Sequence, residues 1–453
     1  MPDQKDARDG FGSLLLACFA LLVTTLFAAA ALTGPLSWAV GLAYIAYDTW
    51  LLSHMVRASR RAILDTPALP LASRRPTLAV LIAARNEEAA LPATLDAVLG
   101  QDDPAEQVIV IDDGSTDGTL ATLRARYPSL RLLSKANSGK ARSLNEALPL
   151  CESDLVVTLD ADTMLAPGAL AAVRRAFAAE PQLAAACGVL TPLCQPGFFS
   201  PLFELYQTFE YLRAFLWRLA WSRDETLVLV SGAFSIFRRP ALLAVGGFDP
   251  TSAVEDYELL FRLHRRSLEG GQPLRVRVIG DARATTDVPA RPLQFLRQRT
   301  RWFAGFIETM FRNRDMVGSA RYGRLGSFHL LVKTVDTLLP VYGLSAFLAL
   351  VLLLLRGPGI PVVILVVLGV KFAFDLSCHV YCLFLHQRWQ GKPVTARLFG
   401  RAALATLTEP YFFQFLRQLG ALLGWIAFVR GRIEWAPQRP AVRRPATHPE
   451  AQR

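Results

Sequence analysis

Four clusters of side chains in this chain have the types and spacing to do chemistry. The first is Asp112-Asp113-Gly114-Ser115-Thr116-Asp117-Gly118. A carboxylate there can accept hydrogen bonds from a nucleobase or ribose, and the same residues also make an ordinary turn with a helix N-cap. The second is Asp160-Ala161-Asp162, two carboxylates at i, i+2. Both can approach one hard cation, and Mg2+ or Mn2+ takes carboxylate oxygens together with phosphate oxygens; alone, the pair also fits a solvated loop. The third, Val254-Glu255-Asp256-Tyr257-Glu258, opens a helix. A carboxylate at that position satisfies the helix dipole or, aimed into a cleft, serves as a general base. The fourth is Gln298-Arg299-Thr300-Arg301-Trp302. Arg301 offers a fixed fork to a diphosphate and Trp302 a flat face to a sugar ring; alone, the segment also reads as a basic aromatic helix lying on a membrane.

These clusters need a scaffold, and residues 77–315 supply its pattern. The runs Thr77–Ala83, Gln107–Ile111, Leu130–Leu133 and Leu155–Leu159 read as buried strands. Glu88–Leu99, Asp117–Tyr127, Gly139–Leu148 and Pro167–Ala179 read as the helices between them. Such alternation predicts an α/β fold with a mostly parallel, doubly wound sheet. Ligands of such sheets bind beyond the C-terminal strand ends. Arg85-Asn86-Glu87, Asp112-Asp113 and Asp160-Ala161-Asp162 all fall there.

The flanks have another character. Residues 11–47 lack any charged side chain, and Gly34-Pro35 divides an apolar run into stretches of about 14–33 and 36–56. Each suits a span of roughly 20 residues, so residues 1–56 are expected to form a transmembrane hairpin. A cleavable signal peptide is the competing reading, disfavoured by the acidic first ten residues. A basic linker (57–76) follows and places the next domain on the cytoplasmic side of the inner membrane. Beyond the 77–315 domain, residues 316–429 offer spans at 338–355 and 360–385. The stretch 402–429 is expected to lie at the interface rather than to cross. The tail 430–453 is basic and expected to be disordered.

Composition sharpens this picture. The 453 residues are 52% hydrophobic and 19% charged, with a net charge of +11. That excludes a disordered or collagen-like chain. Six Cys without paired spacing exclude a disulfide scaffold. The stretches 57–75, 387–401 and 430–453 each carry a net +4. The excess charge therefore sits beside the membrane, where anionic lipid is the partner, and not on a nucleic-acid-binding face.

The four clusters, in this order and between apolar segments, resemble the membrane-integrated family 2 glycosyltransferases. That group contains the cellulose, hyaluronan, chitin and poly-N-acetylglucosamine synthases. The resemblance covers about 77–315 closely. It implies a nucleotide-sugar-binding GT-A domain, Mg2+ or Mn2+ as cofactor, and inversion at the anomeric carbon. It also implies residue roles. The strand end Ala83, Arg85, Asn86 and Glu87, with Asp113, would meet the base and ribose, and Lys140 the diphosphate. Asp160 and Asp162 would hold the metal, and Asp256 would be the base. Gln298, Arg301 and Trp302 are similar to the family's QxxRW, which closes the donor site. The segments Ser231-Gly232-Ala233 and Gly246-Gly247-Phe248-Asp249 match the acceptor side more loosely. Val254 stands where many of these synthases have Thr, and a Phe-Cys-Gly run is missing. The sugar and the acceptor are therefore left open.

The implied partners are a UDP-linked sugar donor, a carbohydrate or glycolipid acceptor, membrane lipid, and an export or accessory subunit. The expected activity is extension of a β-linked polysaccharide. The alternatives are transfer of a single sugar to a lipid and a scaffold with an inactive domain. Within the expected spans, Asp48, Lys371 and Asp375 suit a polar path for a carbohydrate chain, and the alternative is a self-neutralising pair of Lys371 with Asp375. Lys333 and Asp336 flank the third span.

Overall fold

The computed structural model describes residues 36–64, 75–271, 274–355 and 362–431. The expected first span (14–33), the linker residues 65–74 and the tail from 432 lie outside the described residues. The strands are β1 (Leu78–Ala84), β2 (Gln107–Asp113), β3 (Arg131–Lys135), β4 (Leu155–Asp160), β5 (Thr163–Leu165), β6 (Leu183–Cys194), β7 (Phe234–Arg238) and β8 (Arg275–Val288). The helices are α1 (Leu36–Leu64), α2 (Leu91–Leu99), α3 (Thr119–Arg126), α4 (Lys140–Ala147), α5 (Ala169–Ala179), α6 (Ser200–Arg223), α7 (Arg239–Ala244), α8 (Glu255–Glu269), α9 (Pro292–Arg312), α10 (Leu330–Leu355), α11 (Val362–Trp389), α12 (Ala396–Thr408) and α13 (Phe413–Val429). They form two compact units.

The first unit, within 75–193 and 227–288, is built on one eight-stranded sheet of order β3-β2-β1-β4-β7-β6-β8-β5. Strands β3, β2, β1 and β4 are parallel. This is the half read from the sequence, and its helices begin one to three residues late because the polar turn residues form loops first. The other half departs from the expectation of a mostly parallel sheet. The pairs β4–β7, β7–β6 and β8–β5 are antiparallel, so the sheet is mixed. Strand β8 shows why: Asp281–Thr286 alternates open and buried positions, the pattern of a strand covered on one face. Apolar runs revealed only the strands covered on both.

The core of this unit lies between the sheet and α2 and α5. Leu78, Val80 and Ile82 of β1 are fully buried with Leu95 and Val173, each contributing about 1.5–3 kcal/mol. The buried guanidinium of Arg174 fastens the entry to the sheet. It donates to the Pro76 and Pro104 carbonyls, both at 2.5 Å, and pairs with Glu106 at 3.0 Å.

The second unit, within 36–64, 194–226 and 289–431, is helical. Phe203 of α6, Phe295 of α9 and Phe413 of α13 are fully buried at one junction, with the Phe295 and Phe413 ring centroids 4.7 Å apart. α9 and α13 approach closely through glycines: a Cβ at Gly420 would stand 2.7 Å from the Arg299 Cβ, and one at Gly424 2.9 Å from the Phe303 Cβ.

The stretches expected to span do form the long helices α1, α10 and α11. Among the described residues, however, no single helix is long and apolar enough to cross a membrane by itself. The bent pair Ala396–Tyr411 and Phe413–Val429, with a 47° break, passes that test by length and composition. This is the stretch expected to lie flat. Its break falls at Phe412, just after the short turn Glu409–Tyr411, where Pro410 removes a helical N–H. The buried Glu409 is neutralised there by Arg213 of α6 at 2.5 Å. Lys371 is 2.7 Å from Asp48 and also pairs with Asp375, so the three charges form one group joining α1 to α11.

Candidate active site

The parallel strands bring two of the four clusters, together with the Arg85-Asn86-Glu87 turn, to one edge. Ala84 is in register with Asp112, and Ala83 with Asp160. Beyond β1 the chain turns through Asn86, whose φ of +57° is the left-handed region that Asn tolerates. The Asn86 N–H donates to Ser115 Oγ at 3.0 Å, and its Oδ1 accepts from the Thr116 N–H at 2.7 Å. The Glu87 N–H donates to Thr119 Oγ1 at 2.9 Å. The Arg85-Asn86-Glu87 turn is therefore laced to the Ser115–Thr119 loop.

Asp113 is buried, and both its oxygens are engaged. They accept the backbone N–H groups of Ser138 and Gly139, each at 2.8 Å. Asp112, also buried, accepts from the Ser115 N–H at 3.2 Å and Ser134 Oγ at 3.3 Å. The sequence suggested Asp113 as a nucleotide contact; its hydrogen bonds anchor the loop that delivers Lys140.

Lys140 opens α4 and is the hub of the site. Its ammonium donates to Asp160 Oδ1 at 2.6 Å and to the Gly232 carbonyl at 3.0 Å, and lies 3.2 Å from Glu255 Oε1. The Gly232 N–H in turn donates to Asp256 Oδ2 at 2.6 Å, and the Tyr257 N–H to Asp256 Oδ1 at 2.9 Å. One glycine thus joins the lysine to the third acidic cluster. A Cβ at Gly232 would stand 3.0 Å from Asp256 Oδ2 and 3.3 Å from Lys140 Nζ. Asp162 accepts from Thr286 Oγ1 of β8 at 3.3 Å.

The charges tune one another. Burial alone would lower the pKa of Lys140, but Asp160 first and then Glu255 and Asp256 more than reverse this, so the ammonium stays charged. Burial, and then the neighbouring Glu255, push Asp256 up to about 6 against the pull of Lys140 and two backbone N–H groups. A carboxylate with that pKa is ionised at neutral pH yet basic enough to take a proton.

One wall was only loosely legible. Gly246 and Gly247 both take positive φ, and the turn is clamped by Asn145, which donates to the Phe248 carbonyl at 2.7 Å and accepts its N–H at 2.8 Å. Arg262 donates to the Gly247 carbonyl at 2.9 Å while paired to the buried Glu258 at 2.6 Å. Sequence reasoning missed Asn145, Arg262 and Glu255 as parts of the site. For Asn145 a signal existed, in the polar run Asn137–Asn145 that carries Lys140.

Gln298, Arg301 and Trp302 lie on α9, in the helical unit. Gln298 is buried and Arg301 and Trp302 half-buried. The interposed Arg299 stacks on Phe295 and Trp302, at 4.5 and 4.6 Å from the ring centroids, and pairs with Glu210 at 2.6 Å. That ladder fixes the face of Trp302.

The model of the glycosyltransferase like family 2 matches residues 76–305, half of the chain. The chain belongs to glycosyltransferase family 2. The match contains all four clusters. The poly-beta-1,6-N-acetyl-D-glucosamine synthase of Staphylococcus epidermidis is 26% identical over 276 residues, 60% of this chain and 64% of that protein. The Staphylococcus aureus (strain COL) synthase of the same name is 27% identical over 269 residues, 58% and 62% of the two chains. The chain thus spans somewhat under two thirds of the length of these relatives. In fold it is similar to a mannosyltransferase from Pyrobaculum calidifontis, solved in complex with GDP-Man and Mn2+. That likeness has a TM-score of 0.53 and 21% identity, and covers 86% of this chain and 99% of the other.

The donor set of this family 2 domain can also be tested against a metal. Among the described residues no group of three or more His, Cys, Asp or Glu could hold an ion. Asp160 and Asp162 supply two hard carboxylates. That fits a divalent ion sharing its coordination with a diphosphate, as Mg2+ does when bound by one or two carboxylates, and does not make a cage for an ion alone.

Proposed function

We propose that this protein is an inverting, metal-dependent glycosyltransferase that extends a β-linked polysaccharide from a nucleotide-diphosphate-sugar at the cytoplasmic face of a membrane. The observation that carries the reading is the Lys140–Gly232 junction. It links Asp160, held by the Lys140 ammonium, to Asp256, held by the N–H of the glycine whose carbonyl that ammonium also engages, at the C-terminal strand edge of a family 2 domain. The activity of these relatives favours a polymer of N-acetylglucosamine, and in this reading UDP is the donor's nucleotide.

In this reading Asp160 and Asp162 hold Mg2+ or Mn2+. When bound with the diphosphate, the ion stabilises the leaving group's growing charge. Asp256 accepts the proton of the attacking sugar hydroxyl, a contribution of about 10²–10⁴-fold. Its two backbone N–H donors hold the carboxylate in one orientation while it does so. Arg301 and Trp302 bind diphosphate and sugar. A single carboxylate base suffices, because the donor brings its own leaving group, unlike the two-carboxylate chemistry of glycoside hydrolysis. The apolar helices and the three basic stretches hold the catalytic unit at anionic lipid, and their charged group Asp48–Lys371–Asp375 is consistent with a wet path for export.

The test is a panel of UDP- and GDP-linked sugars with Mg2+ or Mn2+, with the products sized. A ladder of long β-linked oligomers is expected. A product carrying one added sugar would overturn the polymerase reading in favour of a glycolipid transferase.

A further inference from the structure

The ammonium of Lys140 has three N–H donors, and three acceptors surround it: Asp160 Oδ1 at 2.6 Å, the Gly232 carbonyl at 3.0 Å and Glu255 Oε1 at 3.2 Å. Two of these contacts are hydrogen bonds and the third is an ion pair, so the ammonium already faces an acceptor on every side. The lysine therefore has none left for a phosphate oxygen while it holds Asp160. Asp160 in turn already has a full positive charge against one of its oxygens.

We propose that Lys140 is a resident cation that competes with the divalent metal for Asp160 and so makes metal and donor binding depend on each other. The inference rests on the assignment of Asp160 and Asp162 as the metal's carboxylates. Without donor, a metal approaching Asp160 meets a carboxylate already neutralised and must displace a charge-assisted hydrogen bond, the strong kind. Displacement frees one N–H of Lys140. That N–H has no replacement acceptor until a diphosphate arrives. The metal alone therefore leaves an ammonium with an unmet donor, and the diphosphate alone meets a lysine still committed to Asp160. Together they resolve both deficits. This is a coupling free energy, and it acts equally in both directions. Lys140 keeps its other two acceptors throughout. Gly232 thus stays in place, and with it the N–H that orients Asp256. Lys140 is a positioning residue in this scheme, and the exchange at Asp160 involves no bond-making chemistry.

The experiment uses the full chain in detergent, with Mn2+ binding followed by electron paramagnetic resonance of the free ion. Mn2+ is titrated alone and with UDP or GDP. For the unmodified chain, Mn2+ alone should bind weakly and nucleotide should tighten it. Lys140→Met should bind Mn2+ alone tighter by about tenfold, equivalent to about 1.4 kcal/mol, and nucleotide should then add little. Adding Asp160→Asn to Lys140→Met should abolish the gain. A merely structural lysine would lose metal affinity on substitution, not gain it. The proposal is overturned if Lys140→Met binds Mn2+ no tighter than the unmodified chain, or if the gain survives Asp160→Asn. A measurement on the unmodified chain stands even if the variant fails to fold. If Mn2+ alone raises the melting temperature as much as Mn2+ with nucleotide, the competition does not exist. Absence of Mn2+ binding in every protein, with nucleotide or without, overturns the metal assignment itself and the proposal with it.

Discussion

Asp256 meets two opposed demands. Burial and the adjacent Glu255 push its pKa up, while Lys140 and the N–H groups of Gly232 and Tyr257 pull it down. The balance, about 6, sets a pH prediction. The base works only when deprotonated, so turnover at saturating substrate should fall as pH drops through about 6 and be level above it. A pH–rate profile measures this, and an acid limb centred near 4 would refute the balance. Asp256→Asn should lower transfer by about 10²–10⁴-fold and leave donor affinity nearly unchanged, as judged by calorimetry with a non-transferable donor. Because the folded pKa lies above the unfolded one, ionised Asp256 costs stability at neutral pH. The same variant should therefore melt no lower than the parent at pH 7. Asp162→Asn should instead weaken metal-dependent nucleotide binding by about tenfold or more, since one of two hard ligands is lost.

At the scale of elements, the site depends on how strand ends and helix starts are laced together. Asn145 on α4 holds the Gly247-Phe248 turn through two hydrogen bonds. Asn145→Ala should cost about 1–3 kcal/mol of stability, because two backbone groups lose their partner, and should raise the KM for acceptor more than for donor. Chemical denaturation and initial-rate kinetics test the two halves of that statement. In the helical unit, Gly424 lets α13 pass against α9. Gly424→Leu forces a Cβ to 2.9 Å from the Phe303 Cβ and 3.0 Å from backbone. The expected loss is about 1–3 kcal/mol, read as a lower melting temperature, with transfer impaired because α9 carries Gln298, Arg301 and Trp302. The parallel strands were legible because they are continuously apolar. β8 was not, because a half-covered strand mixes polar and apolar residues, and Arg275–Val288 reads as neither period over its full length.

For the whole molecule, the proposed attachment to a membrane rests on the basic stretches and on the bent helix pair α12–α13, and it can be tested directly. The chain should sediment with membranes and resist extraction by high salt, yet dissolve in detergent. Release by salt alone would mean that only the basic stretches hold it, since screening removes electrostatic attachment. The division into two units also differs from a single 77–315 domain. α6 and α9 lie inside that sequence interval but belong with the helical unit. Strand-helix alternation cannot show this, because a helix that packs on other helices and one that covers a sheet carry similar apolar stripes.

By itself the sequence pointed to candidate residues for the chemistry and to the strand ends that present them. Carboxylates after apolar strands are a local pattern, carried by the chain whatever its strands pair with. It also determined the family, because four motifs in a fixed order are a linear property. Only the tertiary structure decided who touches whom. It tied Asp113 to the loop before Lys140, set Lys140 between Asp160 and Glu255, and used Gly232 to join that lysine to Asp256. These contacts link residues 20 to 115 positions apart. No period in the chain encodes them, because they come from where the sheet brings its loops together.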